Sequence, residues 1–368
     1  MKGLSCTRIR VSAAAGLMAA AGLATTAAAQ SSDGFIDKAE LQARQSWRAT
    51  MHQTSAPGLG CFHASYPSTQ WREVECEASP GYRSALPNFA RREQVVGNGY
   101  DYVAKAPSGT VFSSAVGTFP TVTGVKTEKS VGVAAFGDGG ILGSNEYTLQ
   151  VNTNFFHSAA CSGYTNCLAW QQYVMSTNTP VSLTSSRLSN KTEVFIEYWL
   201  IDYGNHTGRN ICPSGFIDAG EDAEGPGDDC VQNTSATAIA SGQLPITDLA
   251  SLQLSGSAKS NGTDAATVTF DGEAYTATVL DNYTDIASGW SEAEFNVLGN
   301  AGGSRANFNT SGVSVSVKIA VTDGSTAAPT CVSPSSEQGT TGETNNLTLG
   351  SCSAVGGSAP YIEFTETD

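Results

Sequence analysis

Two glutamates stand in surroundings that suit a carboxyl group to chemistry. In SGWSEAEFNVLG, residues 288–299, Glu294 lies between Ala293 and Phe295 in a run of strand character. In VFIEYWLIDYG, residues 194–204, period-two alternation puts Phe195, Glu197, Trp199 and Ile201 on one face and Val194, Ile196, Tyr198, Leu200 and Asp202 on the other. Dry aromatic surroundings raise a carboxyl pKa, as a general acid or base requires. On a wet face the same glutamate is an ordinary surface residue. LAWQQYVM, residues 168–175, adds Trp170 and the amides Gln171 and Gln172, which project to opposite faces of a strand. A side-chain amide orients a water or donates to an oxyanion, or it simply satisfies its strand neighbours.

Other chemistries are poorly provided for. The chain has no GxSxG nucleophile elbow, no HExxH zinc helix and no phosphate-binding glycine loop, and it carries no cofactor signature. Its four histidines, His52, His63, His157 and His206, show no triad spacing. The stretch IDAGEDAEGPGDD, residues 217–229, collects Asp218, Glu221, Asp222, Glu224, Asp228 and Asp229, but not at EF-hand spacing, and it reads as a solvated acidic loop. Sequons at Asn190, Asn205, Asn233, Asn261, Asn282, Asn309 and Asn346 matter only in a eukaryotic secretory route.

The elements that must position these residues are mostly strands. Residues 33–54, with Phe35, Ile36, Leu41 and Trp47 on helical spacing, are the one convincing helix. From Val95 onward, YDYVAKA, TVFSSAVGTFPTV, YTLQVNTNFF, WQQYVM, VFIEYWLIDYG, ATVTFDGEAYTATVLD, AEFNVLG and VSVSVKIAV read as strands between turn residues. Asp271-Gly272, set between alternating runs, signals a tight hairpin, and Val313, Val315, Val317 and Ile319 share one face of their strand. Many strands without interleaved helices predict an all-β, jelly-roll-like antiparallel sandwich over residues 93–368. Residues 30–92 form an N-terminal helical and disulfide-containing extension: a propeptide, a stapled subdomain or a cap.

Residues 1–29 read as a signal peptide, with Lys2, Arg8 and Arg10 ahead of an alanine-rich run ending in Ala27-Ala28-Ala29. Its removal takes those three from the 19 basic residues, against 34 acidic ones, and leaves a formal charge of −18. Such a chain repels nucleic acid and anionic membranes. Apart from Cys6, the cysteines fall in close pairs, Cys61 with Cys76, Cys161 with Cys167, Cys212 with Cys230 and Cys331 with Cys352, which favours four local bridges and an oxidising, extracellular or periplasmic location.

Four segments together resemble the glutamic peptidases of eqolisin and neprosin type: AVGTFPTVTG, LAWQQYV, VFIEYWLIDYG followed by CPSGFID, and AEFNVLGNAGGSRANF. The resemblance spans about residues 95–320 and implies a secreted, acid-active jelly-roll hydrolase, working at about pH 3 to 4. In that reading Glu294 is the general base, Gln171 the amide at the oxyanion and Glu197 an accessory acid. Aligned on the Ala-Glu pair, Glu294 matches the first family glutamate, and Leu298 stands where the family has its catalytic one. Two other readings differ in kind. One is a non-catalytic module that grips an extracellular polypeptide or glycan through Trp170, Tyr198, Trp199 and Trp290. The other is a polysaccharide hydrolase or lyase with Glu197 and Glu294 across a cleft.

Overall fold

The computed structural model describes residues 38–81, 101–133, 139–182, 185–205, 211–221, 227–309, 311–333 and 343–368. The leader 1–29 lies outside them, as do the beginning of the proposed helix and much of the acidic loop. The chain divides into two compact units, residues 1–41 and 42–368. Of the first, only the opening turn of the helix Lys38–Gln53 is described. All the described strands belong to the second.

That unit is an antiparallel β-sandwich. One nine-stranded sheet includes Ser114–Thr123, Gln253–Ser257, Thr263–Phe270, Glu273–Leu280, Ser314–Thr322 and Tyr361–Thr367. The other includes Tyr147–Thr153, Leu168–Ser176, Lys191–Tyr203, Asp228–Asn233 and Glu292–Gly299. A small third sheet pairs Glu343–Asn345 in parallel with Ser304–Phe308. The chain crosses between the large sheets repeatedly, as the predicted jelly-roll sandwich requires.

The core fills the space between the two large sheets. Leu149, Val151, Tyr173, Met175, Ile196 and Tyr198 come from one side and Leu254, Val268, Val315, Val317, Ile319 and Phe364 from the other. The predicted inward face of the 314–322 strand is thus realised. Two glycines on the first sheet make room for rings from the second. A Cβ on Gly117 would fall 2.1 Å from the Phe295 ring, and one on Gly256 would fall 2.2 Å from Tyr173. Phe295 and Tyr173 belong to the strands carrying Glu294 and Gln172, so these two contacts anchor the site strands from beneath.

Local signals in the sequence are realised in detail. Phe270 pairs with Glu273 across Asp271-Gly272, whose φ values of 47° and 81° are the left-handed pair that an Asp-Gly hairpin needs. All four cysteine pairs are at bridging distance, with Cα separations of 5.3, 5.6, 5.5 and 6.4 Å in chain order. The helical segment is rich in Ala, Gln and Arg, good helix formers, and ends ahead of Pro57. Its Trp47 and Met51, one turn apart, pack on Ala64 and Ala274. Residues Gly60–Ser65 pair with Glu273–Leu280, so this part of the N-terminal segment extends the first sheet. Among the described residues no helix is long and apolar enough to cross a membrane.

Candidate functional site: a carboxylate and amide row

The second sheet keeps mainly apolar residues on its core face, Gln171 apart, and assembles a polar row on the other. Register fixes that row. Glu294 is opposite Asn152, Asn152 opposite Gln172, Gln172 opposite Glu197, and Glu197 opposite Asn233. With strands roughly 4.8 Å apart, these five side chains cross the sheet as one line. The adjacent row along the strands holds Asn296, Gln150, Val174 and Phe195.

Hydrogen bonds tie the row together. Gln172 Nε2 donates to Gln150 Oε1 and to Asn152 Oδ1, each at 2.9 Å. Asn152 Nδ2 donates to Glu294 Oε2 at 2.8 Å. Gln150 Nε2 donates to Thr148 Oγ1 at 2.9 Å and lies 3.4 Å from Glu343 Oε2. Trp199 Nε1 donates to Glu197 Oε1 at 2.9 Å.

Above this floor opens a cleft of about 470 Å³, counting the part open to solvent. Gln150, Gln172, Val174, Phe195 and Glu197 form its floor, and Pro180 and Glu343 stand among its walls. Glu197 keeps some solvent exposure at the bottom while protein surrounds it. That burial raises its pKa to about 7, against the opposing pull of the Trp199 and Asn233 hydrogen bonds. Glu343 is raised well above the ordinary carboxylate range, first by burial and then by the negative charge of Glu197, with a further push from Glu294. One carboxyl is thereby set to keep its proton while its neighbour gives one up near neutrality, the separation that acid and base roles demand.

The named candidates separate in space. Glu197 and Glu294 lie on the same face and in the same row, but Glu197 lines the cleft and Glu294 is fully buried. Gln171 points the other way, because adjacent residues of a strand alternate. In the core its Nε2 donates to Asp264 Oδ2 at 2.9 Å and its Oε1 accepts from Thr284 Oγ1 at 2.5 Å. Gln172 is the amide beside Glu197, and Gln171 has no path to it. Leu298 is buried opposite Thr148.

The four aromatics do not make a stacking platform. Tyr198 stacks on Tyr283 in the core with centroids 4.9 Å apart, and Trp290 stacks on Tyr173 at 5.4 Å. Trp170 and Trp199 are buried with Phe155, Ile201 and Val231. Each ring is at most 1% exposed, which leaves no face for a sugar.

Three contributors do not stand out in the sequence. Gln150 and Asn152 are visible in principle, since YTLQVNT alternates Tyr147, Leu149 and Val151 with an all-polar opposite face. Glu343 gives no such signal. It follows a Ser/Thr/Gly-rich stretch and reaches the cleft only through a three-residue parallel strand. In the acidic stretch, Asp218 Oδ1 accepts from Gly220 N and Asp229 Oδ1 from Asp202 N, so one carboxylate supports its own turn and the other the neighbouring strand Lys191–Tyr203. Among the described residues no three His, Cys, Asp or Glu side chains gather as a metal cluster.

Comparison with known proteins adds no relative. No family model, no curated protein and no solved structure matches the chain.

Proposed function

We propose that this chain is an exported hydrolase of glutamic type that cleaves an extended polypeptide with a pair of carboxyl groups, Glu197 and Glu343. The observation that carries the reading is that these two line one cleft, with burial and then the charge of Glu197 raising the pKa of Glu343, and the Gln172 and Gln150 amides on the floor beside them. The four segments that resemble glutamic peptidases support the peptide as substrate. The alanine-rich leader and the four bridges support export.

The chemistry runs as two proton transfers. Ionised Glu197 takes a proton from water as the water oxygen bonds to the carbonyl carbon, and protonated Glu343 gives its proton to the carbonyl oxygen. Collapse of that intermediate breaks the C–N bond. The amine leaves with the proton held by Glu197, and the hydroxyl returns one to Glu343, so both carboxyl groups regain their starting states. Each transfer contributes on the order of 10²- to 10⁴-fold to the rate.

This assignment moves the base from Glu294 to Glu197 and the amide from Gln171 to Gln172. It also places the working range around neutrality rather than at about pH 3 to 4, because Glu197 must be ionised and its pKa is about 7. The test is hydrolysis of an unfolded protein and of a soluble glycan panel by the purified chain and by Glu197→Gln. Peptide cleavage lost in the variant supports the reading. Cleavage of glycans alone, or full activity in Glu197→Gln, refutes it.

A further inference from the structure

An isolated side-chain amide has two orientations of nearly equal shape, so what sets its direction is the partner at each end. On the cleft floor that direction propagates from one carboxylate. Glu294 Oε2 accepts from Asn152 Nδ2, which holds the Asn152 NH₂ on that side. Asn152 Oδ1 is thereby left toward Gln172, and the Gln172 group facing it must in turn be NH₂. The second hydrogen of Gln172 Nε2 goes to Gln150 Oε1, whose own NH₂ is turned toward Thr148 and Glu343. Both donors of Gln172 are spent on the floor. Its Oε1 is not buried without a partner, and the residue lines the cleft.

We infer that Glu294 is a positioning residue: through Asn152 it turns the carbonyl oxygen of Gln172 into the cleft as a hydrogen-bond acceptor. This deepens the hydrolase reading and rests on it for its chemical meaning. An acceptor beside Glu197 binds one hydrogen of the attacking water while Glu197 takes the other, which aims an oxygen lone pair at the substrate carbon. It cannot stabilise an oxyanion, a task that needs a donor and that falls to protonated Glu343. Glu294, fully buried and outside the cleft lining, touches no reacting atom; besides its charge on Glu343, its hydrogen-bonded route to the cleft is this relay.

The experiment compares wild type, Glu294→Gln, Glu294→Leu and Asn152→Ser by two readouts. The first is hydrogen exchange of the Gln172 side-chain amide by nitrogen-15 NMR. Protection is expected in wild type and in Glu294→Gln, whose amide oxygen still accepts. It is expected to fall by roughly tenfold in Glu294→Leu and Asn152→Ser, as loss of one buried hydrogen bond implies. The second readout is peptide hydrolysis, where the two relay-breaking variants lose kcat by about tenfold or more at little change in KM, and Glu294→Gln keeps most of it. Unchanged Gln172 protection in both relay-breaking variants overturns the inference. So does a Glu294→Gln variant as inactive as Glu197→Gln, since that makes Glu294 the base itself. If wild type hydrolyses nothing but the exchange pattern holds, the relay stands and the hydrolase reading alone fails.

Discussion

Glu343 and Glu197 line one cleft although they lie on different sheets, and the charge of Glu197 adds to the burial that holds the proton on Glu343. The four-stranded sheet brings Glu343 to the wall of a cleft whose floor carries Glu197. Loss of Glu197 should therefore be read in the titration of Glu343. In Glu343→Gln the Glu197 pKa should change little, because its rise comes from burial and not from Glu343. In Glu197→Gln the Glu343 pKa should drop toward the ordinary range. Carbon-13 chemical shifts of the two carboxyl carbons against pH would follow both. An unchanged Glu343 titration in Glu197→Gln would count against the pairing.

The same assignment fixes the sign of the rate profile. In the proposed mechanism Glu197 acts ionised, so peptide hydrolysis should rise through a midpoint near pH 7 and fall again only when Glu343 loses its proton at higher pH. Initial rates between about pH 4 and 10 would show this limb. A maximum at pH 4 would contradict it.

Global stability should fall as pH rises above the acidic range. Glu128 is 2% exposed and raised to about 8 by burial and the neighbouring Glu146, and Asp264 and Glu366 are raised well above their ordinary values. A folded carboxyl with a raised pKa binds more protons than the unfolded chain, so its stabilisation is complete below the unfolded value and is lost as pH climbs through the folded one. For Glu128 the window runs from 4.5 to about 8. Its upper bound is roughly 5 kcal/mol. Urea unfolding at pH 5 and pH 8 should show the loss, and Glu128→Gln should shrink it. Equal stability at both pH values in wild type would refute the account.

His52 works in the opposite direction. Its Nδ1 lies 2.7 Å from Ser255 Oγ and its Nε2 3.2 Å from Thr269 Oγ1, and burial lowers its pKa to about 4. The neutral ring stabilises the fold fully above 6.5, and that contribution is lost as pH falls through about 4. His52→Gln should flatten this acid limb while lowering stability at neutral pH. Thermal melts from pH 3 to 7 would measure it, at about those values.

Gly117→Ala should lower stability by roughly 1 to 3 kcal/mol, the usual cost of overpacking. The added methyl would meet the Phe295 ring, which sits next to Glu294 on the same strand. Chemical denaturation of the variant would read the loss; no change would mean that the ring has room to move.

Much of the fold was legible because its signals are local. The Asp-Gly hairpin, the cysteine pairs and the alternating valines of the 314–322 strand each depend on a few neighbouring residues. The site was legible only in part. Alternation showed that Gln171 and Gln172 face opposite ways, but not which way is the core, because Trp170, Tyr173 and Val174 make both faces of that strand apolar in sequence and buried in the structure. Burial of Trp199 likewise follows from packing with Phe155 and Val231, distant in the chain. Glu343 owes its place to long-range parallel pairing, which leaves no periodic trace in sequence.

The most direct test of the paired-carboxyl account is cleavage of an unfolded protein at pH 7 by wild type and by Glu343→Gln, a variant of nearly the same shape that has amide donors but no proton to transfer. A loss of at least about 100-fold in kcat, with the variant folded, is the predicted result. Hydrolysis at the wild-type rate by Glu343→Gln would contradict it.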